Sequence, residues 1–159
     1  MLECLCVGLG GFIGSVCRYL IGCLAIETAS GFPVKTFAIN IIGAFVLGMV
    51  SEYALLNPAV PRQIILLLQV GLCGGFTTFS TFSSEALKLL SSGRTATALL
   101  YMVASMTLGL LAVYGGQCVS RMGQQKKTSS EALEVYYIAK NYFSFLMEVR
   151  RPPSKRRRS

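Results

Sequence analysis

Long apolar stretches separated by short polar connections dominate the first 120 positions of the chain. Four windows stand out, at residues 4–25, 34–56, 63–90 and 96–118. Each is at or above the ~20 residues that a helix needs to cross the hydrocarbon core of a bilayer. The pattern therefore predicts an all-α integral membrane protein with four transmembrane helices.

The connections between these windows carry turn signals. They read "TASGFP", "NPAVP" and "SSGRT", and Pro33 is placed to begin the second helix. Because all three connections are short, consecutive helices are expected to form antiparallel hairpins. Small residues four positions apart, such as Gly10 and Gly14, predict close packing of the helices.

The third window contains "GGFTTFSTFSSE", which is unusually polar for a spanning helix. Gly74 and Gly75 weaken the helix there, and irregular backbone within a membrane is tolerated only where protein buries it or it lines a cavity. We therefore expect a break in the third helix near the middle of the membrane. Carbonyls freed by such a break can coordinate a cation.

Beyond the two glycines, the helical period separates two kinds of side chain. At about 100° per residue one side carries only hydroxyls and the other carries the aromatic rings. The hydroxyl side holds Thr77, Ser80, Thr81 and Ser84, and the aromatic side holds Phe79, Phe82 and Ser83. A phenylalanine ring turned edge-on attracts an anion without a fixed charge, so this helix is a candidate anion path.

Polar residues in the other windows have two readings each. Arg18 lies well inside the first window, where it either attracts an anion into a vestibule or pairs with carbonyls or a glutamate. Asn40 either forms an interhelical hydrogen bond or donates to a passing anion. Tyr101 and Ser105, at i and i+4 of the fourth helix, add further candidate donors.

Composition excludes several function classes. Hydrophobic residues make up 53% of the chain and there is no histidine. The windows contain no aspartate and no paired carboxylates, so catalysis is not expected. The six cysteines include no C-x-x-C pair and are interpreted as packing residues. Glu3, Glu27, Glu52 and Glu85 fall near the window ends, where we expect them to be solvated.

The last 39 positions differ in character from the rest. Ten of the 15 basic residues lie from Arg121 onward, so residues 1–120 lack the excess of basic residues that is typical of nucleic-acid binding. Residues 121–159 are expected to form a basic tail that is disordered or lies on the membrane surface. Their charge favours a cytoplasmic C-terminus.

The strings "GGFTTFSTFSSE", "GGFIGSVCRY" and "INIIGAFVLG" resemble those of the bacterial fluoride channels called Fluc or CrcB, in matching order over roughly residues 4–120. The resemblance implies an antiparallel, dual-topology dimer of four-helix subunits with two fluoride pores. It also implies one central, structural sodium ion, held by backbone carbonyls of Gly74 and Thr77.

The same resemblance assigns Asn40 as a pore amide and Phe79 and Phe82 as pore aromatics, with Tyr101 and Ser105 in the polar lining and Arg18 at a vestibule or in a structural role. With the hydroxyls of the third helix, the candidate fluoride path comprises Asn40, Phe79, Phe82, Ser80, Thr81, Ser83, Tyr101 and Ser105. In some relatives a serine stands at the position of Gly109.

The implied function is passive export of cytoplasmic fluoride through a bacterial inner membrane, without catalysis. The alternative is a small proton-coupled multidrug exporter, but that mechanism needs a carboxylate deep in the first helix, where this chain carries Arg18. Because the basic tail favours one orientation, the partner is either an identical subunit inserted the other way or an oppositely oriented paralogue.

Overall fold

A computed structural model describes residues 1–26 and 28–149 of the chain, with the backbone alone for 142–149. Every regular element in this part of the chain is helical. In order these are α1 (Leu2–Gly22), α2 (Val34–Leu56), α3 (Arg62–Ile65), a π-helix (Leu66–Cys73), α4 (Gly74–Phe76), α5 (Phe79–Ser91) and α6 (Thr95–Val149). Glu27 and residues 150–159, on which the predictions of a solvated glutamate and a basic terminus fall, lie outside the described residues.

Four stretches of the described chain are long and apolar enough to cross a membrane. They are Leu2–Gly22, Val34–Leu56, Arg62–Ser91 and Thr95–Asn141. The prediction of an all-α, multi-pass membrane protein with four spans is confirmed.

The third span consists of several helical pieces. The π-helix leads into α4, after which Thr77 and Thr78 adopt extended backbone conformations, with ψ angles of 156° and 113°. Helix α5 then begins with Thr78 as its N-cap, since the Thr78 side chain accepts a hydrogen bond from the Thr81 N–H at 3.2 Å. The helical ladder is therefore interrupted between Phe76 and Phe79.

The connections use the residues that the turn signals pointed to. Gly31 and Gly93 have φ angles of 69° and 75°, a region that favours glycine. Pro33 and Pro61 occupy the N-cap positions of α2 and α3. The connections run between residues 22 and 34, 56 and 62, and 91 and 95, so the second and third are short and the first is longer.

Glycines let the spans approach closely. Gly10 and Gly14 of α1 are buried against the π-helix and α4, and a Cβ built on Gly71 would lie 2.8 Å from the Gly10 Cα. On α2, a Cβ at Gly48 would lie 2.9 Å from the carbonyl carbon of Val113. Backbone-to-backbone packing of this kind is typical of membrane helices, where small residues allow close contact.

One aromatic cluster forms the core of the helical body. Tyr101 is completely buried and packs with Ala86, Leu89 and Ala98. The rings of Phe32, Phe37 and Phe82 pack against this group; Phe82 belongs to α5, as Ala86 and Leu89 do. Most other large apolar side chains of the spans are exposed, as expected for helices that face lipid.

The chain divides into two compact units, Met1–Met122 and Gly123–Ser159. Helix α6 is described to Val149, whereas the predicted apolar window ended at residue 118. In the second unit, the described residues from Gly123 onward are helical.

Candidate functional site

The interruption between α4 and α5 is held by a side chain from α2. Asn40 Oδ1 accepts a hydrogen bond from the Thr78 N–H at 2.8 Å, and Asn40 Nδ2 donates to the Thr78 carbonyl at 3.2 Å. Thr78 is buried, so these two contacts satisfy backbone groups that have no helical partner. The amide of Asn40 retains one further N–H.

This arrangement leaves two backbone carbonyls without their usual helical donors. In a continuous helix the Thr78 N–H would bond to the Gly74 carbonyl, but here it donates to Asn40. The Thr81 N–H would likewise bond to the Thr77 carbonyl, but it donates to the Thr78 hydroxyl. Gly74 and Thr77 therefore offer oxygens of the kind that a hard cation such as Na⁺ binds.

Arg18 of α1 also contacts the residues next to the interruption. Its Nε donates to the Gly75 carbonyl at 3.0 Å. The side chain also lines a cavity of about 560 Å³ together with Lys35, Thr78 and Glu85. The structure thus gives Arg18 a carbonyl partner and a place on the wall of this cavity.

The predicted hydroxyls have different environments. Thr78 Oγ1 donates to Thr81 Oγ1 at 3.0 Å and lies 3.4 Å from Ser80 Oγ. Ser83 Oγ donates to the Phe79 carbonyl at 2.9 Å, one turn back in its own helix. The Ser105 hydroxyl is buried and has no hydrogen-bond partner among the described residues.

A chain of aromatic rings runs from the interruption into the core. The Phe79 and Phe82 ring centroids are 5.8 Å apart, and those of Phe82 and Tyr101 are 5.0 Å apart. Phe32 then meets Tyr101 edge-on at 5.3 Å. Phe79, at the outer end, is 78% exposed. The ring edges give this region uncharged groups that attract anions.

Glu85 is hydrogen-bonded to the Tyr101 end of this chain of rings, although it was expected to be solvated at a span end. Its carboxylate accepts hydrogen bonds from Thr36 Oγ1 and from the Tyr101 hydroxyl, each at 2.9 Å. Glu85 lies one turn beyond Thr81 in α5, and this i+4 spacing was the signal that could have included it.

Glu52 was also expected to be solvated, and this is wrong. It is 6% exposed, and its carboxylate accepts hydrogen bonds from Arg121 Nε at 2.7 Å and Arg121 Nη2 at 3.2 Å. A buried carboxylate needs such a partner, and the fork of an arginine supplies two hydrogen bonds. The pair joins the end of α2 to α6. Glu3, by contrast, forms an exposed ion pair with Arg62 at 3.2 Å.

A second cavity, of about 490 Å³, adjoins the first and shares Lys35 and Glu85 with it. Lys88 and Arg94 also line this cavity. Within the described residues no group of three or more histidine, cysteine, aspartate or glutamate side chains is placed to hold a metal ion. The site therefore consists of amide, hydroxyl, carbonyl and aromatic groups together with the Glu85 carboxylate, and cationic side chains lie at its edge.

Comparison with known proteins identifies the family. A sequence profile described as "CrcB-like protein, Camphor Resistance (CrcB)" matches residues 5–117. A protein of Prosthecochloris aestuarii named "Fluoride-specific ion channel FluC" is 42% identical over 118 residues, which are 74% of this chain and 92% of the relative. Proteins of the same name from Chlorobaculum tepidum and Oceanobacillus iheyensis are 41% and 46% identical, over 78% and 73% of this chain and 98% and 89% of their own lengths.

The residues matched by the profile run from α1 into α6 and so include Asn40 and the interruption. The matches also agree with the expectation that the protein is not an enzyme, because the matched relatives are named as ion channels. The chain therefore belongs to the CrcB family, a family of ion channels of the membrane.

Proposed function

We propose that this protein is a fluoride-selective passive channel that exports fluoride from the cytoplasm and so reduces its toxicity. The observation that carries the proposal is the arrangement at the interruption, where Asn40 pairs with the Thr78 backbone and the Thr78 hydroxyl donates to Thr81. The names of the relatives support fluoride as the ion.

The chemistry of the ion fits this arrangement. Fluoride is strongly hydrated, so a pore must replace its water with other donors while binding it weakly enough for release. Hydroxyl and amide N–H groups donate without a fixed charge, and aromatic edges add weak attraction. We assign the path to Asn40, Phe79, Phe82, Ser80, Thr81, Ser83, Tyr101 and Ser105.

Arg18 stands at the edge of this path. Because its Nε donates to the Gly75 carbonyl, the guanidinium is held at the wall of the cavity. We propose that it both stabilises the backbone at the interruption and attracts anions toward the cavity.

We propose in addition that two subunits associate in antiparallel orientation, each with its third helix broken near mid-membrane. Phe79 is 78% exposed, and a Cβ on Gly74 would meet nothing within 4 Å. These positions are open in one chain, so a second copy, or an oppositely oriented paralogue, has room to cover them. Two-fold symmetry would bring the same surface of each subunit together.

A structural sodium ion fits at the centre of such a dimer. The carbonyls of Gly74 and Thr77 would hold it, and sodium would supply positive charge that links the two interruptions without being transported. One chain provides two of these oxygens, which is fewer than a hard cation takes, so the symmetric pair in the second subunit completes the set.

The direct test is efflux from liposomes that contain the purified protein, followed with a fluoride electrode and a chloride electrode. We expect rapid fluoride efflux that depends on the protein and needs no proton gradient, with chloride efflux near the level of empty liposomes. Equal rates for the two ions would overturn selectivity. Proton-coupled movement of a lipophilic cation without fluoride efflux would support the multidrug exporter instead.

A further inference from the structure

The second cavity, of about 490 Å³, has no role in the function proposed above. Its walls come from the connection between the first two spans, the start of α2, the end of α5 and Arg94, which directly precedes α6. Its volume falls within the ~300–1,000 Å³ of pockets that bind small molecules. The charges on its walls indicate what kind of molecule it can hold.

Three cationic side chains line this cavity, and all three lie at the ends of spans. Lys35 is the second residue of α2, Lys88 lies in the last turn of α5, and Arg94 comes just before α6. Glu85 is the one acidic side chain among the described lining residues. Three cations beside one carboxylate give these walls an excess of positive charge, so the cavity favours an anion.

The guanidinium of Arg94 is held at the cavity wall by the connection between the first two spans. Its Nη1 donates to the Ser30 carbonyl at 3.4 Å, and a Cβ built on Gly31 would overlap the same nitrogen. Gly31 has a φ angle of 69° and leaves the space that the guanidinium occupies. A guanidinium carries five N–H donors in a planar fork, and the contact with Ser30 uses one of them.

Lys35 is anchored in a similar way. Its Nζ donates to the carbonyls of Gly22 and Leu24 at 3.0 and 3.2 Å, which uses two of the three N–H donors of the ammonium group. The Thr28 and Ser92 hydroxyls on the same walls donate to backbone carbonyls near them in the sequence. Donors for a ligand therefore come mainly from the cationic side chains.

Cations from three separate segments suit an anion that carries several oxygens. Arginine binds phosphate oxygens through its planar fork, and lysine binds them as a point charge. Helices α2 and α6 also begin beside Lys35 and Arg94, and the amino ends of helices favour phosphate. We propose that the second cavity binds a phosphate group, with Lys88 and Arg94 as its main contacts and Lys35 as a further donor.

This phosphate has two possible sources. Span ends lie at the level of lipid headgroups, and basic pockets between membrane helices bind the headgroups of anionic lipids. Phosphate in solution offers the same oxygens. A reading without any ligand also exists, because a lysine in the last turn of a helix offsets the carbonyl end of that helix. Stabilisation that depends on phosphate separates these cases.

The test is thermal unfolding of the purified full chain in a nonionic detergent, at constant pH, sodium concentration and ionic strength. One arm replaces chloride with inorganic phosphate. The other compares short-chain phosphatidylglycerol with phosphatidylcholine of the same chain length. A ligand that binds the native state raises the midpoint of unfolding. We expect a saturable rise in at least one arm: inorganic phosphate alone identifies a soluble ligand, and phosphatidylglycerol alone identifies a lipid headgroup.

Substitutions locate the binding site. Lys88→Gln and Arg94→Gln should each raise the concentration for half-maximal stabilisation about fivefold, as expected for the loss of one cation beside an anionic headgroup. Arg62→Gln is the matched control, because Arg62 also lies at a span end but forms an exposed pair with Glu3 away from this cavity. If Arg94→Gln gives no folded protein, Lys88→Gln decides, because Lys88 is exposed near the end of its helix.

Three results would overturn the proposal. One is a midpoint that does not rise with either source of phosphate. Another is a rise that Lys88→Gln leaves unchanged, which would place the ligand elsewhere. The third is equal weakening by Lys88→Gln and Arg62→Gln, which would indicate attraction by overall charge. The measurement needs no fluoride conduction, so its outcome is independent of the function proposed above.

Discussion

Asn40 pairs with both backbone groups of Thr78, accepting from its N–H at 2.8 Å and donating to its carbonyl at 3.2 Å. A residue of α2 thereby fixes the shape of the third span at the point where the helix is interrupted. The same pairing diverts the Thr78 N–H from the Gly74 carbonyl.

Asn40→Ala should therefore destabilise the protein and slow fluoride efflux. The substitution leaves two buried backbone groups unpaired, and each costs about 1–3 kcal/mol. We expect a lower midpoint of thermal unfolding in detergent and efflux reduced roughly tenfold or more. Asn57→Ala is the matched control, because Asn57 Nδ2 donates to the Tyr53 carbonyl at 2.8 Å at an exposed helix end. Wild-type efflux from Asn40→Ala would show that this amide is dispensable.

Adjacent glycines of α4 should respond differently to the same substitution. A Cβ on Gly75 would lie 2.6 Å from the Gly11 carbonyl oxygen, so Gly75→Ala should disrupt the packing of α1 and give little folded protein. A Cβ on Gly74 meets nothing within the chain. We expect Gly74→Ala to fold but to associate poorly, as measured by size-exclusion chromatography with light scattering. Normal dimers of Gly74→Ala would contradict the assigned position of Gly74 at the subunit contact.

Sodium should raise the thermal stability of the dimer. A ligand that binds only the native state at 100 times its dissociation constant adds about 2.7 kcal/mol. Exchange of sodium chloride for N-methylglucamine chloride, whose cation is too large for a carbonyl cage, should therefore lower the midpoint of unfolding. Potassium chloride at the same concentration controls for ionic strength. An unchanged midpoint in all three salts would argue against a sodium site.

Removal of either phenylalanine of α5 should depress fluoride flux. Phe79 is largely exposed in one chain, so Phe79→Ala should affect flux more than stability. Phe82 also packs on Tyr101, so Phe82→Ala should lower both flux and the midpoint of unfolding. Phe12→Ala is the control, because Phe12 of α1 is 68% exposed and lies away from this ring cluster. Undiminished flux in both α5 variants would remove these rings from the path.

Arg121→Ala should be clearly more destabilising than Lys127→Ala. Loss of the guanidinium leaves the buried Glu52 carboxylate without its partner. Lys127 forms an exposed pair with Glu131 at 3.9 Å, and such pairs contribute little. The comparison uses the midpoint of unfolding in detergent. If Glu52→Gln restores the stability lost in Arg121→Ala, the loss comes from the unpaired charge. Equal midpoints for Arg121→Ala and Lys127→Ala would show that the Arg121–Glu52 pair does not stabilise the protein.

Hydropathy and residue spacing were sufficient to predict the four spans, because both signals are local in the sequence. Residue type also indicated that Asn40 needs hydrogen-bond partners at its depth in the second span. The identity of the partner depends on how α2 packs against the third span, 38 residues away, and no local pattern contains that information.

The error on Glu52 and the missed hydrogen bonds of Glu85 have the same origin. Proximity to a span end predicted solvation for Glu52 and Glu85. Their partners, Arg121 and Tyr101, lie 69 and 16 positions further along the chain. Burial of a carboxylate depends on whether such a donor arrives in the fold, so it could not be read from either position alone.

The pairing of Asn40 with Thr78 also bears on the order of events during synthesis. Asn40 emerges from the ribosome before Thr78, and both belong to the same chain. A new subunit can therefore shape its interrupted segment as soon as that segment enters the bilayer, without waiting for a second molecule. In the dimer proposed above, each subunit would therefore meet its partner with the interrupted segment already formed.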